Sequence, residues 1–102
     1  MNLMINSFNT RSGVDVIARN YSAGKQLLNC FEWDVLYIDH DLNGIETGYD
    51  LIMWAIHHHK LPKVVIVTST NHIGVENIRA ALLYSAKYKE PSYNEFWDYK
   101  GE

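Results

Sequence analysis

Two aspartates and a histidine follow directly after an apolar run. The run Val35 to Ile38 gives way at once to Asp39, His40 and Asp41. A short apolar run of this kind is typical of a strand buried on both faces, which would place ionisable groups at the rim of a sheet. In open α/β sheets the carboxyl ends of the strands are where ligands bind. The pattern predicts a site, although it does not identify the ligand.

The two carboxylates are suited to two kinds of chemistry. Asp39 and Asp41 lie two residues apart, so an extended backbone would point both side chains the same way. Such a pair suits an Mg²⁺ site, or a general base beside a phosphate. The structural alternative is that Asp41 caps the next loop while Asp39 accepts backbone N–H groups. His40 is either a proton donor or a hydrogen-bonded structural histidine.

A polar turn after a second apolar run offers an anion site. The residues expected to bind a phosphate in this turn are Thr68, Ser69, Asn71 and Gly74. A helix is predicted to follow, and the N–H groups and dipole at a helix N-terminus attract anions. The hydroxyl groups would add hydrogen bonds to a phosphate oxygen, and His72 could line the same opening. Plain N-capping by Asn71 or Thr70 is the alternative, and it is compatible with anion binding.

Alternating strands and helices would position these residues. The predicted strands are 3–8, 14–19, 34–38 and 64–67, and the predicted helices are 23–31, 49–60 and 75–88. Strands too apolar to be half exposed predict parallel βα units and a covered sheet. Only five turn residues, 9–13, separate the first two strands, too few for a crossover helix. These strands form either a hairpin or a parallel pair joined without a helix.

The two polar blocks resemble a known family. Ile38 to Gly44, followed by Thr47 to Leu51, resembles the receiver domains of response regulators, in which an acceptor aspartate ends the third strand. Asp-His-Asp-Leu together with the Ser-x-Asn-x-x-Gly segment from Ser69 to Gly74 is more specific. It resembles the cyclic-phosphate processing receiver domains, short proteins common in phages and bacteria. The resemblance covers roughly residues 3 to 85.

The resemblance implies a fold and further site residues. The fold is a reduced receiver: a flavodoxin-like α/β three-layer sandwich with a mostly parallel four-stranded sheet, ordered 2-1-3-4, lacking the first crossover helix. The family carries an acidic pair after the first strand, where this chain has Asn6 and Ser7. The arginine that follows that pair is assigned to Arg11. The receiver lysine has no clean match, because Glu90 separates Lys89 from the proline.

Together these features predict a phosphate-recognising protein that processes a cyclic or terminal phosphate of a nucleotide or RNA end, and the resemblance to a family common in phages implies a phage-encoded protein. Asp39 would be the base or a ligand of Mg²⁺, Asp41 its partner and His40 an acid, while Arg11 would neutralise the phosphate. One alternative is a binding module without catalysis, for a nucleotide or a protein partner. A second alternative is a phosphoacceptor receiver at Asp39.

Bulk properties exclude other classes. The 102 residues predict one domain, 1–102, and a net charge of −3 gives no basic footprint for duplex DNA. We find no signal peptide or membrane span, which predicts a cytoplasmic protein. Cys30 is alone, and we expect a buried, inert thiol. Adjacent side chains in His57 to His59 diverge by about 100°, so they are not expected to chelate a metal.

The C-terminal tail, 91–102, is rich in aromatic residues. We expect it to cover the small core as a lid. The alternative is a homodimer contact, because exposed aromatic side chains mark interfaces.

Overall fold

Five strands and three helices make up the part of the chain that the computed structural model describes, residues 1–85 and 97–100. The strands are β1 (Asn2–Ile5), β2 (Val16–Ala18), β3 (Val35–Ile38), β4 (Val64–Val67) and β5 (Trp97–Lys100). The helices are α1 (Tyr21–Cys30), α2 (Gly48–His57) and α3 (His72–Ala80), and a π-helical turn, Ala81–Ser85, continues α3. None of the described helices is long and apolar enough to cross a membrane.

The strand order is β2-β1-β3-β4-β5, in which the first four strands are parallel and β5 is antiparallel to β4. The expected four-stranded order is confirmed, and β5 extends that sheet by one strand. Part of the aromatic tail therefore pairs with β4, with Trp97 beside Val67 and Tyr99 beside Val65. The other tail aromatics, Tyr93 and Phe96, lie outside the described residues.

The connection between β1 and β2 runs without a helix. Because the two strands are parallel, they do not form a hairpin, and residues 6–15 carry the chain from one to the next. This step moves across the sheet in the opposite direction to the later crossovers, so a right-handed path takes it over the opposite face. Arg11 lies there, 5.0 Å from the centre of the Tyr37 ring. The third layer is thus a connection rather than a helix.

The core lies between the sheet and the three helices. Two rows of side chains in register face the helices: Leu3, Leu36 and Val65, then Ile5, Ile38 and Val67. A Cβ atom on Gly24 of α1 would lie 2.8 Å from Ile5 and 3.1 Å from Leu51 of α2. This close approach holds α1 against both the sheet and α2. All three helices contribute buried side chains to one apolar cluster.

Several boundaries differ from the sequence-based expectation. β1 ends at Ile5, and the Asn6 side chain that follows accepts the N–H groups of Phe8 and Asn9 in the next loop. The α3 helix begins at His72, three residues before the predicted start, because Asn71 caps it. The α2 helix ends at His57, and His59 has a positive φ of 55°. The expectation that Cys30 is buried is wrong: as the last residue of α1 it is exposed.

Candidate functional site

The carboxyl ends of three strands bring the candidate residues into one row. Backbone hydrogen bonds continue past the strands, from Asp39 N–H to Ile5 O (3.0 Å) and from Thr68 N–H to Ile38 O (2.9 Å). Asp39 therefore lies between Asn6 on one side and Thr68 on the other. The chain passes outward from β1 to β2 and then back to β3, so β1 and β3 flank the topological switch point of the sheet. We call this carboxyl end of the sheet the rim.

The start of α2 fixes the backbone of the acidic segment. Gly48 N–H donates to His40 O at 2.7 Å. A Cβ atom on Gly48 would lie 2.0 Å from Asp39 O, so no larger residue fits here. A capping box formed by Thr47 and Asp50 sets this first turn of α2. The main chain at Asp39 and His40 is thereby held against a helix N-terminus.

Three polar side chains form a connected cluster beside Asp39. His40 Nδ1 lies 3.2 Å from Asp41 Oδ1, and Asn71 Nδ2 lies 3.4 Å from both Asp41 carboxylate oxygens. A carboxylate only accepts hydrogen bonds, so we assign the proton of the neutral or charged imidazole to Nδ1. Asn71 Oδ1 accepts the Gly74 N–H at 3.0 Å. Asn71 thus caps α3 and binds Asp41 with the same amide.

The His40 ring packs against the first turn of α3. A Cβ atom on Gly74 would lie 2.2 Å from His40 Cγ and 2.6 Å from Nδ1. The side chain of His40 is only 15% exposed, whereas that of Asp41 is 67% exposed. The imidazole is therefore held by packing on one side and by a carboxylate on the other, and Asp41 itself faces solvent.

Hydroxyl and amide donors line the β4 side of the rim. Thr68 Oγ1 is buried and has no hydrogen-bond partner among the described residues. Ser69 Oγ accepts the Asn71 N–H at 3.0 Å and so shapes the turn. The first N–H groups of a helix have no intrahelical partner. Asn71 Oδ1 accepts that of Gly74, and those of His72 and Ile73 belong to the same first turn of α3.

Asn6 and Ser7, which directly follow β1, bind backbone groups of the loops. Asn6 is 2% exposed, and its Oδ1 accepts the N–H groups of Phe8 and Asn9, each at 3.0 Å. Ser7 Oγ accepts the Asn43 N–H at 2.9 Å and donates to Asp41 O at 3.4 Å. Ser7 therefore joins the loop after β1 to the loop after β3.

The two nearby arginines occupy different places. Arg11 lies over Tyr37, on the face of the sheet opposite the helices, instead of beside the turn from Ser69 to Gly74. Arg19, which the sequence reasoning missed, donates from Nη1 to Asn9 O at 2.7 Å and to Asn6 O at 3.4 Å. Arg19 is the first residue after β2. Because parallel strands all end at the same end of the sheet, this position could have identified Arg19 as a rim residue.

The donor set at the rim does not fit Mg²⁺. No group of three His, Cys, Asp or Glu side chains in the described ranges, 1–85 and 97–100, could hold a metal ion. Asp41 already accepts from Asn71 and His40, and an oxygen-binding cation usually needs more anionic ligands than Asp39 and Asp41 supply. The histidines from His57 to His59 are exposed, and His58 stacks on Trp54 at 4.7 Å.

Comparison with known proteins bears on the same residues. A family model described as the cyclic-phosphate processing receiver domain matches residues 1–84. The match includes all four parallel strands, the three helices and every residue of the rim. No curated protein matches the chain.

Proposed function

The chain belongs to the cyclic-phosphate processing receiver domain family, and from this we propose that its rim binds a cyclic phosphate of a nucleotide or RNA end and hydrolyses it. The observation that carries the proposal is the cluster of His40, Asp41 and Asn71, set beside Asp39 and the buried hydroxyl of Thr68. It combines proton-transfer groups with hydrogen-bond donors at the rim.

Phosphate recognition would use the β4 side of the rim. The Thr68 hydroxyl and the N–H groups of His72 and Ile73 are donors, and donors aimed at phosphoryl oxygens stabilise the charge that grows in the transition state. The positive end of the α3 dipole lies on the same side. Arg19 supplies a guanidinium at the opposite, β2 side of the rim, where its Nη1 donates to two loop carbonyl groups. These groups favour an anion despite the acidic residues nearby.

Hydrolysis needs one base and one acid. Asp39 accepts a proton from water while the water oxygen forms a bond to phosphorus. The bond from phosphorus to one ring oxygen breaks, and that oxygen takes the Nε2 proton of His40 in its doubly protonated form. Asp41 orients the imidazole through its contact with Nδ1. The product is a phosphate monoester with a free hydroxyl, and proton return from Asp39 to His40 through solvent completes the cycle.

A second candidate function is binding without turnover. It is supported by Asn6 and Ser7, whose side chains carry no charge and bind loop N–H groups, so they add nothing to an anionic cation site. The same rim donors would then hold a nucleotide as a bound signal. Phosphorylation of Asp39 itself is a third candidate, supported by its place at the end of β3.

Turnover of a nucleotide panel distinguishes these candidates. The protein is incubated with 2′,3′-cyclic and 3′,5′-cyclic nucleotides, with EDTA or Mg²⁺, and products are separated by chromatography. We expect hydrolysis in EDTA and a loss of about 100-fold or more in Asp39→Asn. The matched control, Asp34→Asn, changes an exposed aspartate outside the rim and should retain full activity.

Saturable binding of a cyclic nucleotide without product would contradict hydrolysis and support the binding module. Labelling of Asp39 by acetyl phosphate, without nucleotide turnover, would instead support the phosphoacceptor. Equal turnover by Asp39→Asn and the wild type would remove Asp39 from the reaction.

A further inference from the structure

A separate, open cavity lies beside the loop that follows the acidic segment of the rim. Its volume is about 430 Å³, and it is lined by Asn20, Tyr21, Ser22, Lys25, Asn43 and Glu46. Small-molecule sites in proteins are typically clefts of roughly 300–1,000 Å³, so the cavity has room for part of a ligand. It lies where the N-terminus of α1 faces the loop after β3, on the helix side of the sheet.

The lining of this cavity combines hydrogen-bonding groups with an aromatic ring. Asn43 and Glu46 are exposed and offer an amide and a carboxylate, while Lys25 offers an ammonium group. The Lys25 Nζ atom is held 5.9 Å from the centre of the Tyr21 ring and 5.4 Å from that of Trp54. Burial, followed by the charges of Glu46 and Asp50, raises the pKa of Tyr21, so the phenol stays neutral.

The wall of the cavity is tied to the acidic segment of the rim. The Asn43 N–H donates to Ser7 Oγ at 2.9 Å, and Ser7 Oγ reaches Asp41 O at 3.4 Å. One hydroxyl thus fixes Asn43, in the cavity, relative to Asp41, in the proton-transfer cluster. A ligand with its phosphate at the rim would extend its remaining part toward either this cavity or open solvent.

We infer that this cavity binds the nucleoside of the substrate, with Asn43 and Glu46 hydrogen-bonded to the base edge and Tyr21 beside the base. The inference rests on the proposed function, because it takes the rim as the phosphate site. Nucleobases carry adjacent donors and acceptors, which an amide, a carboxylate and an ammonium group can match. They also carry a flat face that packs on aromatic rings. The substrate class is therefore a nucleoside cyclic phosphate, rather than any cyclic phosphodiester.

Two probes separate the cavity from the rim. One is a 2′,3′-cyclic nucleotide, and the other is glycerol 1,2-cyclic phosphate, which has the cyclic diester and no base. Affinities are measured by calorimetry with Asp39→Asn protein, so that neither probe is consumed. We expect the nucleotide to bind at least about tenfold more tightly than the glycerol compound. Asn43→Ala and Glu46→Gln should bring that ratio close to one.

Matched variants outside the cavity test whether the effect is local. Asn77→Ala and Glu32→Gln change exposed residues of the same types and should retain the tenfold ratio. Equal affinity for both probes, or a ratio that Asn43→Ala and Glu46→Gln leave intact, overturns the nucleoside site while the rim stands as a phosphate site. Failure of both probes to bind overturns the rim and the cavity together.

Discussion

The Asn71 amide makes two contacts at once, and these can be separated by substitution. Its Oδ1 caps α3 and its Nδ2 donates to Asp41. Serine caps helices about as well as asparagine but is too short to contact Asp41. We expect Asn71→Ser to retain stability within about 0.5 kcal/mol and to weaken cyclic-phosphate turnover. Urea unfolding and chromatographic assays measure the two effects.

The Asn71→Ala variant is the control, because it loses both contacts. It should lose about 1 kcal/mol of unfolding free energy in addition to activity. Full activity in Asn71→Ser would show that the contact between Asn71 and Asp41 has no part in the reaction.

A second prediction concerns metal binding at the neutral residues after β1. In Asn6→Asp, a carboxylate oxygen can still accept the N–H groups of Phe8 and Asn9, so the fold should persist. The new carboxylate would join Asp39 across adjacent strand ends and give the rim a third acid. We expect Mn²⁺ to bind Asn6→Asp more tightly than the wild type, measured by paramagnetic broadening of rim amide signals. Equal broadening in both proteins would contradict this account of the donor set.

Sequence reasoning identified most residues of the rim but could not assign their contacts. An apolar run followed by Asp39, His40 and Asp41 predicts a strand that ends in ionisable side chains. The polar turn before α3 predicts a helix N-cap. Nothing in the sequence shows that Ser7 joins two loops, because that hydrogen bond depends on residues 36 apart. Arg11 was assigned by resemblance, whereas the structure places Arg19 beside the loop after β1.

At the level of elements, the contact between α3 and His40 depends on a glycine. A Cβ atom on Gly74 would lie 2.2 Å from the His40 ring, so Gly74→Ala must displace the imidazole. We expect a loss of about 1–3 kcal/mol in unfolding free energy, together with reduced activity. Chemical denaturation of the single variants and of the double variant with His40→Ala measures the coupling.

The double variant tests the cause of that loss. Removing the ring makes room for the new methyl group, so Gly74→Ala should cost little in a His40→Ala background. An equal cost in both backgrounds would show that the strain lies elsewhere in α3.

The elements themselves were largely predictable, and their ends were not. Apolar runs predicted all four parallel strands, and the short spacing after β1 limited its connection to two choices. The helix starts depend on caps: α3 begins at His72 because Asn71 binds Gly74 N–H. The pairing of β5 with β4 places Trp97 beside Val67. These residues are far apart in the sequence, and local periodicity carries no information on such distant pairs.

At the level of the whole molecule, one topological feature explains where the site lies. The chain runs from β1 to β2 in one direction and from β2 to β3 in the other, so the carboxyl ends of β1 and β3 form the topological switch point, which is where open α/β sheets bind ligands. The helices occupy one face and residues 6–15 cross the other, which leaves the strand ends as the place where loops meet. The rim and the cavity lined by Tyr21 and Asn43 both lie at this end.

The most direct test of the rim is amide NMR during titration with a 2′,3′-cyclic nucleotide, using Asp39→Asn protein to prevent turnover. We expect saturable shifts for the amides of Thr68, His72 and Gly74, with none at the far end of the sheet. A second cavity, bounded there by Cys30, Phe31 and Lys60, is the internal control. Saturable shifts confined to Cys30, Phe31 and Lys60, with the rim amides unmoved, would contradict ligand binding at the rim.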